Sequence, residues 1–283
     1  DLTLDLMFIR LPIIIFLFSG FGYELRAGGN NESHGARSVA MGGAVVSSVD
    51  IWSTSNNPGA LGMLDHYGLG LSYESRHLLP EAGLKSFAFA APVSGGTFSL
   101  VGHSYGYASF SDNRIGLAYA RKLAKFLSIG VQLNYVNTQI GDVYGSRSTM
   151  VAELGALMKP SEKLSVGVHL YNPTRQKLAD FDNERIPTLL AIGSTYEFSE
   201  KVSMTLQVDK DMDLPINLRS GIEYVPVEQI HIRAGYATLN SSFGFGLGVV
   251  WNKMGIDVAT NWDQQLGSSA SASLSYYFGK RKS

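Results

Sequence analysis

The chain has 283 residues, with 31 glycines, 14 tyrosines and 14 phenylalanines against only 17% charged residues, and its net charge is −1. So few charges are at odds with a soluble helical domain, whose surface needs many more Lys and Glu, and they fit a wall whose outside meets lipid. No Lys/Arg cluster is read between residues 40 and 270, which argues against nucleic acid, and the absence of cysteine excludes disulfide frameworks, thiolate nucleophiles and Cys-based zinc sites.

Met7-Phe8-Ile9-Arg10 supplies a short positive start, Leu11 to Phe18 an apolar core, and Ser19, Gly20 and Ala27-Gly28 a small-residue exit. This tripartite layout reads as a secretory signal peptide over residues 1–27. A transmembrane helix needs about 20 apolar residues, and Glu24 and Arg26 interrupt the run too early.

Residues 28–66 are too rich in Gly and Asn to be strands. Gly42 and Gly43 permit close backbone approach and Asn57-Pro58-Gly59 is a turn signal, so the segment can fold compactly. Its place follows from what comes after it.

From Tyr67 onward, apolar residues alternate with small or polar ones, break at a turn, and begin again every 12 to 15 positions. The period is two. Leu127, Ile129, Val131, Leu133 and Tyr135 fall on one face against Ser128, Gly130, Gln132 and Asn134; Phe243, Phe245, Leu247, Val249 and Trp251 stand against Gly244, Gly246 and Gly248. Strands are expected at 67–74, 84–92, 97–108, 113–121, 127–139, 148–159, 164–172, 187–198, 202–209, 216–225, 229–238, 242–251, 255–262 and 268–278, fourteen in all.

The connections after the even-numbered strands are tight, as in Ser94-Gly95-Gly96 and Ser199-Glu200-Lys201, and most of the others are longer. This is the asymmetry of an outer-membrane barrel, with short periplasmic turns and longer outer loops. Strands in lipid can leave no backbone group unpaired, so the fold class expected is all-β: a fourteen-stranded antiparallel transmembrane β-barrel with an N-terminal luminal hatch. Three parts result: signal peptide 1–27, hatch or plug 28–66, and barrel 67–283. A lumen this wide is not filled by side chains alone, which puts residues 28–66 inside it.

Residue by residue, the hatch candidates are Arg37, Met41, Gly42, Gly43, Asp50, Asn57 and Pro58. Strand alternation turns Glu153, His169, Arg219, Glu223, His231, Arg233 and Asp257 into the lumen, as a polar lining that steers a ligand, anchors the hatch by ion pairs, or simply satisfies luminal polarity. Trp251, Trp262, Tyr67, Tyr73, Tyr196, Tyr224, Tyr236, Tyr276 and Phe278 lie near strand ends, where aromatic girdles form. His103-Ser104 suggests hydrolase chemistry, but neighbours in a strand point to opposite faces and cannot pair. His169 and His231 lack the further ligands a metal needs, and Gly244-Phe245-Gly246-Leu247-Gly248 lies mid-strand, not before a helix as a phosphate cradle must. No catalytic residue, metal or cofactor is assigned.

Arg37 to Ala44 (R-S-V-A-M-G-G-A), Asp50, and Asn57-Pro58-Gly59-Ala60-Leu61 together resemble the N-terminal signature of the FadL superfamily of outer-membrane barrels, most nearly its PorV/PorQ branch of Bacteroidetes-type bacteria. The usual N-P-A-G-L stands here with its two small residues exchanged. The resemblance implies a fourteen-stranded barrel with this segment as a luminal hatch, placed in the cell outer membrane among its lipids. It implies one of two roles: passage of small hydrophobic, fatty-acid-like molecules, or a non-transporting accessory part in type IX secretion with a protein partner. The chain lacks the long outer insertions that build capture or docking surfaces in either branch.

Overall fold

A computed structural model of the protein describes residues 34–107, 110–140, 145–176 and 186–279. The expected signal peptide and the first residues of the expected hatch, 28–33, lie outside the described residues. Fourteen antiparallel strands form one closed barrel: β1 (Tyr67–Ser75), β2 (Gly83–Val93), β3 (Gly96–Tyr107), β4 (Phe110–Ala124), β5 (Leu127–Ile140), β6 (Ser146–Ser161), β7 (Leu164–Tyr171), β8 (Leu189–Ser199), β9 (Val202–Asp211), β10 (Asn217–Val227), β11 (Ile230–Ala237), β12 (Ser242–Trp251), β13 (Met254–Asp263) and β14 (Gly267–Phe278). Each strand pairs with its sequence neighbours, and β1 closes the ring on β14 from Tyr67↔Phe278 to Ser75↔Ala270. Closure removes every sheet edge.

The two-residue period is realised face by face. On β5, Ile129, Val131, Leu133 and Tyr135 are 44–56% exposed while Ser128, Gln132 and Asn134 are buried. The β12 set Phe243, Phe245, Leu247, Val249 and Trp251 likewise lies outside, and Gly244 and Gly248 lie inside. An apolar face continuous around a barrel would drive aggregation in water and is what a lipid-facing wall requires. At one end of the barrel all six connections between strands consist of two residues, from Ser94-Gly95 to Asn252-Lys253. Four of them adjoin an irregular register at the strand end, as between Lys122 and Ala124, which lets so short a turn follow the sheet twist. Strand β8 starts at Leu189, two residues later than expected; just before it the Thr188 hydroxyl donates to the Asn172 carbonyl at 3.0 Å.

The N-terminal segment lies within the ring, on its inward-facing side chains. It holds α1 (Ala36–Ala40), α2 (Ser53–Asn56) and a 3-10 stretch, Pro58–Met63. Helix α1 packs against β11 to β14 and the 3-10 stretch against β3 to β7, so the segment reaches opposite walls. Its main apolar anchorage is Ile51, Trp52, Leu61 and Leu64, set against Ala88, Ala90, Val101, Ala118 and Ala120 of β2 to β4. Large side chains on the plug meet small ones on the wall. Each buried aliphatic side chain there contributes about 1.5–3 kcal/mol.

Candidate functional site

The Arg37–Ala44 motif folds as one turn of helix followed by a reversal. After α1, Gly42 and Gly43 take φ of 62° and 77°, the left-handed region that favours glycine. The reversal is closed by Gly43 N–H donating to the Ser38 carbonyl at 2.8 Å and Gly42 N–H to Val39 at 3.2 Å. This seats Met41, 1% exposed, against the inward-facing Gly221 and Gly235. A Cβ at Gly42 would lie 2.6 Å from the Tyr236 amide nitrogen, so the wall approaches here too closely for any side chain.

The same close approach recurs around the ring. At Gly130, Gly155, Gly167, Gly235 and Gly244 a Cβ would overlap the plug's main chain at Pro58, Gly59, Val46, Met41 and Val39 respectively. These wall glycines form a collar that admits bare backbone, and they explain why glycine recurs on the inward phase of the strands.

Asp50 and Asn57 organise the rest of the plug. Asp50 Oδ1 accepts from Trp52 N–H at 2.8 Å and Oδ2 accepts from Arg37 at 2.9 Å. Asn57, fully buried, donates to the carbonyls of Val46 (2.7 Å) and of Ala156 on β6 (3.0 Å), and accepts from Gly59 N–H at 3.0 Å. One side chain thereby caps the 3-10 stretch, ties it to the preceding loop and fastens both to the wall. Pro58 follows at the first turn, where its missing N–H costs nothing.

All seven predicted luminal residues face inward, and they separate into two groups. Five converge near the plug. Glu223 on β10 is shared by Arg37 of the plug (3.4 Å) and Arg233 of β11, Arg233 reaches on to Asp257 at 2.5 Å, and His231 Nδ1 lies 3.7 Å from Glu223. Arg219 pairs with Asp209 at 2.5 Å and donates to the Gly42 carbonyl at 3.3 Å. Arg37, Arg219 and Arg233 thus face Asp50, Asp209, Glu223 and Asp257. Glu223 and then Asp50 hold the Arg37 guanidinium firmly charged, its pKa raised above the ordinary arginine value in spite of burial.

The second group, Glu153 and His169, satisfies polarity within the wall and makes no contact with the plug among the hydrogen bonds of the described residues. Glu153 accepts from His169 Nε2 (2.7 Å) and from Asn134 (2.7 Å), and Asn134 in turn accepts from Gln132 (2.8 Å), all within the wall strands β5 to β7. Alternation predicted the direction these side chains take but not which inward neighbour register would put beside them.

Other contacts were not anticipated. Gln207 Oε1 accepts from the amides of both Val45 and Val46 at 2.9 Å, Ser128 donates to the Gly59 carbonyl at 2.7 Å, Ser47 meets Thr195 at 2.7 Å, and the Tyr277 hydroxyl accepts from Ile51 N–H at 3.1 Å. Their inward phase was readable; their partners on the plug were not. His103 points inward and Ser104 outward, as alternation requires. The His103 ring is engaged by Ser55 of the plug (Nε2, 3.1 Å) and Ser86 of β2 (Nδ1, 2.9 Å) and stacks on His34 at 3.7 Å. Burial, then the charges of the neighbouring His103, Arg114 and Arg76, pushes the His34 pKa well below the usual histidine value.

Outside, an open groove of about 1110 Å³ crosses the wall at β13, β14 and β1 to β5. Register aligns one outward row through it: Ile256, Leu274, Leu71, Phe87, Gly102, Ile115 and Tyr135. Gly102 alone in that row has no side chain, and the Phe87 ring lies over it. Lys85, Ser104, Asn113 and Asn137 form the next row toward the looped end. Directly behind Gly102, inward, stand Ser86 and His103.

No protein-family model and no curated protein matches the chain. Solved structures do. The crystal structure of the Pseudomonas putida toluene transporter TodX is 14% identical, with a TM-score of 0.64, over 90% of this chain and 100% of that one. A Pseudomonas aeruginosa FadL homologue is also 14% identical, with a TM-score of 0.61, over 89% of this chain and 100% of that one. At this identity the likeness is one of fold: a closed fourteen-stranded barrel of FadL type.

Proposed function

We propose that the protein is a FadL-like channel of the outer membrane that passes small hydrophobic, fatty-acid-like molecules without chemical change, with residues 34–66 as its hatch. In this reading the two-residue turns and both ends of the barrel sequence face the periplasm, and the longer loops face outward. The observation that carries it is a plug docked inside the ring together with an apolar groove across β13, β14 and β1 to β5, in whose outward row Gly102 alone lacks a side chain. A hydrophobic ligand needs an apolar route, and the plugged lumen directs it either past an undocked hatch or along the wall. The TodX likeness agrees with a hydrophobic cargo, toluene being what that protein carries.

Uptake of a labelled fatty acid by cells with and without the protein tests the reading, and no difference between them would refute it. Because the chain has no cysteine, a Ser47→Cys/Thr195→Cys pair, built where the two hydroxyls are 2.7 Å apart, locks the plug cleanly. Uptake that survives the lock assigns the route to the wall; uptake lost on oxidation and regained on reduction assigns it to hatch movement. A role beside the type IX secretion machinery, and the narrower PorV/PorQ placement, rest on the Arg37–Ala44, Asp50 and Asn57–Leu61 motif alone. Stoichiometric recovery of a large partner in mild detergent would favour that role.

A further inference from the structure

The two-residue turns do not share charge evenly. The β4–β5 and β6–β7 tips carry Arg121, Lys122, Lys125, Lys159 and Lys163, all exposed, against one acid, Glu162. The two tips are joined, since Lys159 N–H donates to the Phe126 carbonyl at 2.7 Å. Along the chain these cations form two short groups, residues 121–125 and 159–163, and folding brings the two onto one sector of the rim. The remaining tips of that end hold Glu197, Glu200, Lys201, Glu228 and Lys253, with no positive excess.

The height of this sector above the apolar wall matters as much as its sign. Arg121 pairs with the outward Ile129 at the end of the lipid-facing rows, while Lys122, paired with the inward Ser128, and Lys159, next after the outward Met158, leave the rim on the other phase and reach the headgroup level through long exposed side chains. Leu123 and Phe126, 55% and 51% exposed, stand among them. Cations flanked by exposed apolar side chains at the boundary of an apolar belt match a phosphate-bearing headgroup above its acyl chains.

We propose that this sector, Arg121, Lys122, Lys125, Lys159 and Lys163 with Leu123 and Phe126, binds anionic phospholipid of the leaflet at the short-turn end of the barrel. The phosphates are held by the lysines and arginine, and the acyl chains lie against Leu123, Phe126 and Met158. Binding is independent of what crosses the wall, and its failure leaves the transport reading untouched.

The test is lipid retention by the whole protein. The barrel, delipidated in a nonionic detergent, is offered equal amounts of phosphatidylglycerol and phosphatidylcholine, and retained lipid is measured by native mass spectrometry. Phosphatidylglycerol is expected to be favoured by about tenfold at low salt, with the preference falling as ionic strength rises. Lys122→Gln/Lys125→Gln/Lys159→Gln/Lys163→Gln should abolish the preference, and Lys253→Gln, on a distant tip, should keep it. Equal retention of the two lipids by the unaltered protein, or a preference that survives the fourfold change, overturns the proposal. Capture of an acidic soluble protein that displaces phosphatidylglycerol from the sector overturns it as well.

Discussion

Replacing Glu223 by alanine removes a carboxylate that two guanidiniums share, and its cost can be worked from the geometry. Arg37 keeps Asp50 at 2.9 Å and Arg233 keeps Asp257 at 2.5 Å, so neither cation is wholly stranded. Removing one partner of a fully buried pair costs about 3–5 kcal/mol. The surviving partners and the 25% exposure of the Arg37 side chain reduce the expected cost to plug docking to about 2–3 kcal/mol. At 1.4 kcal/mol per factor of ten, undocked plugs become about 30- to 150-fold more common. Ser38 is buried in α1, so a Ser38→Cys reporter in this cysteine-free chain is labelled by a maleimide only when the plug leaves its seat. The labelling rate should rise by that factor in Glu223→Ala, while the barrel itself still migrates as a closed, heat-modifiable species on a gel. An unchanged rate in an intact barrel would mean that the ionic cluster adds nothing to docking, which the apolar anchorage and the other plug–wall hydrogen bonds would then hold.

Three further outcomes follow from the same contacts. Gly235→Ala places a Cβ in the Met41–Gly42 backbone and should expel the plug, raising labelling at position 38, whereas Gly95→Ala, whose Cβ would meet only the Tyr119 hydroxyl at 4.0 Å, should leave it docked. Asn57→Ala loses three hydrogen bonds and leaves the Ala156 and Val46 carbonyls without its amide; protease protection of the plug should weaken by about 1–3 kcal/mol, measured as a cleavage rate, with barrel stability unaltered. His34 has its pKa depressed on docking, so the undocked state binds more protons. Docking is then strongest above the ordinary value of 6.5 and weakens as pH falls below it. Labelling at position 38, normalised at each pH to that of an exposed cysteine, should rise between pH 7.5 and 5, and His34→Leu should flatten that slope.

How much of this was legible in advance differs by element. The barrel was readable because a lipid-facing wall imposes a strict two-residue alternation, and because tight turns fall at one end only; Phe243 to Trp251 and Leu127 to Tyr135 show both faces in the chain itself. The local turns of the N-terminal segment were readable through Met41-Gly42-Gly43 and Asn57-Pro58-Gly59, since left-handed backbone and a capped turn need particular residues. The inward course of Arg219, Glu223, Arg233 and Asp257 followed from the same alternation.

What alternation could not supply is the angular position around the ring. That depends on register across several strands and on how the plug is rotated within them, and both are long-range properties. Glu153 and Glu223 look alike along the chain, yet one is tied to His169 and Asn134 in the wall while the other joins Arg37 of the plug. Gln207, Ser128 and Tyr277 read only as inward polar or aromatic residues until the backbone of residues 45–59 is laid against them. By itself the sequence determined strand number, facing and the local turns of the N-terminal segment, because each is set by residues close together in the chain. Only the tertiary structure decided which charges meet and why the wall glycines stand where they do, because those depend on atoms brought together from strands far apart in sequence.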